Sequence, residues 1–375
     1  MYSGMLPLVI LVLTDPLGLS YSQVGLVSMA FTVASSVSQP FFGWLGDRHS
    51  NRLIAVLGVA AIAVTMGIMR FADSFTLLMI LAPIAGLGSG AFHPQGAALA
   101  SQTPAQRRGS AMSIFMLGGN SGYAFGPLLG SAVFAVAGDQ MPQTFALLGL
   151  GQAALVYWAL AGQQRAQAAG KARPVSSVKR AAVAVIITLT LVIFFRSWVQ
   201  TSVVTFVPQV YKALGYSTTF AGNVLFSILM PLAIGGLIGG TLSDRIGRRR
   251  VLIASTALIG PALWGLLNSS GWSTFVWGAF LGLASGASLP VTLVMAQGLI
   301  PRGPGMMSGF VLGFTFIAGA VGVSANGIAA DYIGLMPTML SNALLPLLAA
   351  GLALLLPDDR PAKLDIKSST LEIGD

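Results

Sequence analysis

Gly43-Trp44-Leu45-Gly46-Asp47-Arg48-His49-Ser50-Asn51-Arg52 returns later in the chain as Gly240-Thr241-Leu242-Ser243-Asp244-Arg245-Ile246-Gly247-Arg248-Arg249. Both stretches read G-x-L-x-D-R-x-x-x-R, and their aspartates stand 197 residues apart in a chain of 375. Each follows one long apolar run and precedes another. A charged turn repeated at just over half the chain length points to an internal duplication, a common construction of polytopic membrane proteins. The same offset pairs Gly18 with Gly215 and Gly25 with Gly222. An offset of 196 pairs Gly86-Leu-Gly-Ser-Gly90 with Gly282-Leu-Ala-Ser-Gly286, and Pro94 with Pro290.

Composition sets the class. Charged residues make up 8% of the chain and hydrophobic ones 55%, against roughly 25% charged in a soluble domain. The apolar runs are long and nearly unbroken, which favours helices over the alternating pattern of a transmembrane barrel. The net charge of +9 does not read as a nucleic-acid surface, because the basic residues sit in short turns between apolar runs. The absence of cysteine excludes disulfides, thiolate metal sites and cysteine nucleophiles.

A bilayer-spanning helix takes about 20 residues. Spans are expected at 22–45, 53–70, 75–100, 109–137, 142–162, 181–209, 220–243, 251–268, 273–299, 305–330 and 336–356. Residues 1–14 are apolar but short, and Asp15-Pro16 ends them. They are read as the remainder of a first span, giving twelve helices in two six-helix halves, with the first helix incomplete. The halves are 1–162 and 181–357, joined by a polar linker at 163–180 and followed by a polar tail at 358–375. With the turn at 46–52 placed in the cytoplasm, seventeen of the twenty Lys and Arg residues are cytoplasmic. Arg70 and Lys212 fall on the far side, and Arg196 lies within a helix. That is a strong positive-inside bias, and it places the C-terminus in the cytoplasm.

The twin turns resemble the signature of the major facilitator superfamily, which stands after the second helix and again after the eighth. In that family the aspartate and arginines form a cytoplasmic latch between the halves. The resemblance carries this role to Asp47, Arg48 and Arg52 and to Asp244, Arg245 and Arg249. The first copy departs from the family pattern at His49-Ser50. In the span 109–137, Gly118, Gly122, Gly126 and Gly130 recur every four residues beside Pro127, a stripe that lets another helix backbone approach closely. It is similar to the glycine-proline signature of antiporters in the superfamily, and packing alone explains the spacing equally well. A shorter stripe is Gly305, Gly309 and Gly313.

AFHPQGAALA at 91–100, SIFMLGGNSGYAFGPLLG at 113–130 and GMMSGFVLGFTFIAGAVG at 305–322 resemble the fosmidomycin-resistance branch of the superfamily. The resemblance implies efflux of a small drug-like or anionic compound against proton entry, in a multi-pass protein of the bacterial inner membrane. No cofactor and no enzymatic chemistry are implied, and one duplicated chain suffices for a pathway. Relatives in that branch carry a histidine and an aspartate in the first helix, ahead of the residues matching Tyr2-Ser3-Gly4. The expectation is therefore that this chain starts late within that helix. Some relatives also carry an acid where this chain has Gln95.

Candidate pathway residues are those with polar or ionisable groups at membrane depth, which are functional hypotheses by default. His93 titrates nearest neutral pH, and Pro94 beside it frees a carbonyl one turn back. Arg196 lies about fifteen residues beyond Arg180, or roughly 22 Å, and Gln200 follows one turn on along the same face. The plain alternative for Arg196 is snorkelling to an interface. Gln95, Asn120 and Tyr123 complete the set. None of the eleven acids lies deep in a span. An importer or symporter of a small organic anion or sugar is the second reading, and a membrane sensor or enzyme the third. The short loops and the lack of an acid, histidine or cysteine cluster argue against the third.

Overall fold

The computed structural model describes residues 1–48, 51–101, 108–137, 141–159, 180–299 and 304–357. The linker (apart from Arg180) and the tail lie outside the described residues, as do the side chains of Asp47 and Arg48. The described chain is helical: α1 (Tyr2–Thr14), α2 (Tyr21–Arg48), α3 (Asn51–Met69), α4 (Phe75–Ser101), α5 (Arg108–Ala137), α6 (Met141–Ala159), α7 (Arg180–Ala213), α8 (Thr218–Ile246), α9 (Arg248–Leu267), α10 (Ser273–Leu299), α11 (Pro304–Ile333), α12 (Leu335–Ser341) and α13 (Leu345–Ala353). Among the described residues nine helices are long and apolar enough to cross a bilayer, with α12 and α13 counted together as one span. The apolar run at 336–356 predicts a continuous helix there. It breaks at 342–344 because Pro346, in the first turn of α13, lacks the N–H that would bond to the carbonyl of Asn342.

The turns carrying the repeated motif lie at one end of the bundle, here the latch end. The loops before α2 and α8 lie at the other, the distal end. Exposed Trp44 and Trp158 stand at the latch end, and exposed Trp264 and Trp272 at the distal end, as amphipathic rings do at the two faces of a membrane. The duplication is visible in backbone detail. Gly18 and Gly215, paired by the 197-residue offset, both take a positive φ, 57° and 87°. Ser20 and Ser217, paired the same way, both cap the helix that follows, accepting from the N–H of Gln23 at 3.3 Å and of Phe220 at 3.1 Å.

Within the first half α2 packs on α4, α3 on α4 and α6, and α1 on α5. Within the second half α8 packs on α10, α9 on α10 and α13, and α7 on α11 and α13. The halves meet chiefly along α2 with α11 and α5 with α8. Small residues allow these approaches: Gly25 lies against the carbonyl of Val323, and Gly222 against Ser131 and Pro127. In the α5 stripe, Gly122, Gly126 and Gly130 face α1, whereas Gly118 faces open space. The side of α11 at Gly305 and Gly309 lies outside the described residues, and Gly313 has open space beside it.

Candidate transport site and the two ends of the bundle

Arg196 stands near the middle of α7, a helix of 34 residues, about 24 Å from either end at 1.5 Å per residue. Its face of α7 also carries Leu189, Val192 and Ile193. These pack with Leu252 of α9, Val291 and Met295 of α10 and Ala349 of α13. Arg196 follows these residues by one to two turns along α7. Arg196 is 4% exposed, and its Nε has no hydrogen-bond partner among the described residues. A buried cation is costly unless its donors are satisfied. Half-buried Gln200 follows one turn on along the same face.

His93 is exposed, although it lies well inside α4. Its face of α4 is shared with Gly86, Ser89 and Gly90, which meet Phe31 and Ser35 of α2 and Ser3 of α1. The exposure is accordingly to the bundle interior and not to lipid. The ring of Phe92 meets the imidazole edge-on, centroids 6.1 Å apart. Asn120 is exposed as well. It shares the α5 face of Ala124, Pro127 and Ser131, which meets α8, and stands one turn nearer the latch end.

Gln95 and Tyr123 are placed differently from expectation. Gln95 is 1% exposed, and its Nε2 donates to the carbonyl of Phe42 at 2.6 Å, so it ties α4 to α2. Two residues on a helix differ by about 200° in direction, which sets Gln95 away from the face of His93. Tyr123 packs in the α5–α8 seam beside Ala124, Leu225 and Phe226.

The described ties between the halves cluster at the distal end. Lys212 Nζ bridges to Asp15 at 2.8 Å and donates to the carbonyl of Leu11 at 3.0 Å. Gln209 Nε2 donates to Thr14 Oγ1 at 2.9 Å, and Thr205 meets Ser28 at 3.5 Å. Asp331 of α11 accepts from the backbone of Tyr21 and Ser22, a contact that no sequence motif singles out. At the latch end Asp244 and Arg245 are exposed. The final arginine of each motif turns into its own half: Arg52 lies 3.4 Å over the ring of Tyr157 near the end of α6, and Arg249 donates to the carbonyl of Leu354 just past α13. In this conformation the distal end is closed, and these two arginines brace the last helix of each half. We expect Arg52→Leu to lower stability by about 1 kcal/mol through loss of the cation–π contact. A double-mutant cycle with Tyr157→Leu, read by thermal unfolding in detergent, checks this; strictly additive losses would contradict the pairing.

The model of the Major Facilitator Superfamily matches this chain at residues 1–230 and 189–372. The chain belongs to the major facilitator superfamily. It is 32% identical to the uncharacterized MFS-type transporter YfnC of Bacillus subtilis (strain 168), over 95% of this chain and 89% of that one. It is 29% identical to the fosmidomycin resistance protein of Escherichia coli (strain K12), over 93% and 87%. In fold it is similar to a bacterial homologue of the human lysosomal transporter Spinster, in an inward-facing and occupied conformation. The TM-score is 0.79 at 16% identity, covering 94% of this chain and 93% of that one. A D-xylose-proton symporter superposes with a TM-score of 0.75 at 15% identity, covering 95% and 94%. The chain is thus a multi-pass membrane transporter of a family that is not enzymatic.

Proposed function

We propose that this transporter exports a small anionic compound in exchange for protons, by alternating access, with the latch end on the cytoplasmic side of a bacterial inner membrane. The observation that carries the proposal is the burial of Arg196 at mid-membrane with its Nε lacking a hydrogen-bond partner among the described residues. An anionic ligand would complete its hydrogen bonding there, and a phosphonate or carboxylate suits its fork geometry. Gln200 adds a hydrogen bond from the same face. With the distal end closed, the anion enters from the latch end past His93 and Asn120. His93 is the group that titrates nearest neutral pH along that route, and we assign it the proton. Asp47, Arg48, Asp244 and Arg245 meet when the latch end closes in turn. The orientation is supported by the distribution of basic residues. Export is supported by the likeness to the fosmidomycin resistance protein. The chain works as a monomer in the lipid bilayer, without cofactor or nucleic acid.

The deciding experiment uses inside-out vesicles with an imposed pH gradient and a panel of anions that includes fosmidomycin. Antiport predicts accumulation in the lumen when the lumen is acidic, and loss of that coupling in His93→Ala. Accumulation under the opposite gradient would identify a symporter and reject export.

A further inference from the structure

The first amides of α2 are held in two different ways. Gln23 N–H donates to Ser20 Oγ at 3.3 Å, Ser20 N–H donates to Gln23 Oε1 at 3.0 Å, and Val24 N–H reaches the carbonyl of Ser20 at 3.0 Å. This is a capping box supplied by the local sequence. The two remaining amides are satisfied from the other half of the protein. Tyr21 N–H donates to Asp331 Oδ1 at 2.7 Å and Ser22 N–H to Asp331 Oδ2 at 3.0 Å. Gly327 makes this reach possible. Its bare α-carbon lies against the backbone of Tyr21 and Ser22, and Asp331 follows one turn on.

The duplication does not explain this carboxylate. α8 begins as α2 does, with Ser217 in the place of Ser20, but the residue of α5 at the position of Asp331 is Phe134. The α5–α8 seam is apolar instead, with Phe125 and Phe226 at 5.3 Å between centroids and with Ala124, Leu225 and Leu229 packed beside them. Among the described residues, therefore, the α2–α11 seam carries a charged cap and the α5–α8 seam carries none.

We propose that Asp331 is the clasp of the distal end: by capping α2 across the two halves it holds the transporter closed on that side and releases α2 when that side opens. A carboxylate at a helix N-terminus gains from both amides and from the helix dipole. At the membrane surface both partners find water once parted, so the clasp can open and re-form in each cycle. Below it, Gln209 with Thr14 and Thr205 with Ser28 are polar pairs that water can also replace. The proposal rests on the alternating-access reading above.

The chain has no cysteine, so a single introduced thiol reports cleanly. Ser28→Cys places it in the seam below the clasp, where Ser28 is 5% exposed. The rate of labelling by a membrane-impermeant maleimide added from the distal side then measures opening in proteoliposomes. Asp331→Ala in that background is expected to speed labelling about tenfold, the scale of a lost charged cap. Gln23→Ala, which breaks only the local box, should leave the rate within about twofold. Equal labelling with and without Asp331 overturns the clasp. Should Asp331→Ala fold poorly, a second pair decides. Ser22→Cys with Asp331→Cys, joined by a reductant-cleavable bis-methanethiosulfonate linker, should stop transport until the linker is cut. Undiminished transport while linked overturns the proposal. Failure of the export reading looks different: the pH-gradient assay gives the symport sign while the tenfold labelling difference persists, and the clasp then stands as the gate of a symporter.

Discussion

Arg196→Gln abolishes concentrative transport of the anionic substrate, with a rise in apparent KM of at least about a hundredfold, the scale of breaking a desolvated charge pair. Arg196→Lys keeps the charge but loses the planar fork, so it falls between the two. The measurement is initial flux against concentration in proteoliposomes, on protein shown to be monodisperse. Transport by Arg196→Gln within about threefold of the parent would remove Arg196 from the site. A second readout has the opposite sign. Without substrate, the buried guanidinium finds no acceptor for its Nε among the described residues, so Arg196→Met should leave the unliganded protein as stable or more stable. Substrate should then raise the melting temperature of the parent and leave that of Arg196→Met unmoved. A purely structural arginine, held by its own half, gives the reverse: lower stability on replacement and no difference in the response to substrate.

The depth of Arg196 is open to counting along the sequence, since Arg180 marks the latch end and a helix rises by a fixed amount per residue. The want of a carboxylate at its depth is legible too, because none of the acids falls deep in a span. The duplication can be read down to single residues, as the shared left-handed glycines and capping serines demonstrate. What stays hidden are facts of direction and of distant pairing. Gln95 is a neighbour of His93 along the chain, yet it is buried and donates to the carbonyl of Phe42 in α2, while His93 is exposed. The family resemblance assigns Arg52 and Arg249 to a latch between the halves, but in this conformation they bind Tyr157 and Leu354 of their own halves. A motif gives the spacing of its charges along the chain and not which helix end lies beside them. Asp331 reads as a loop-end acid because its partners, Tyr21 and Ser22, are 310 and 309 residues away in the sequence.

Gly286→Ala and Gly282→Ala should each be severely destabilising, costing at least about 3 kcal/mol, at the upper end of overpacking. The strings Gly86-Leu-Gly-Ser-Gly90 and Gly282-Leu-Ala-Ser-Gly286 serve as joints as well as markers of the repeat. A β-carbon on Gly86 would collide with the carbonyl oxygen of Phe31, and one on Gly90 with Ser38 and the carbonyl of Ser35. In the second half, Gly282 meets the carbonyl of Ile228 and Gly286 that of Leu232. Phe31 and Ile228, like Ser35 and Leu232, stand 197 residues apart, so the duplication preserved the joint with both its faces. Because the obstructing atoms belong to the backbone, no side-chain rotation relieves the clash and alanine already adds the offending atom. The helices must separate, which forfeits the packing of α8 on α10 or of α2 on α4 along several turns. Gly118→Ala is the internal comparison: it belongs to a glycine stripe of the same spacing but faces open space, so its effect on stability should stay within about 0.5 kcal/mol. Yield and thermal unfolding in detergent measure both. Should Gly286→Ala melt with Gly118→Ala and with the parent, close backbone contact would not be what joins these helices, and the repeated glycines would need another cause.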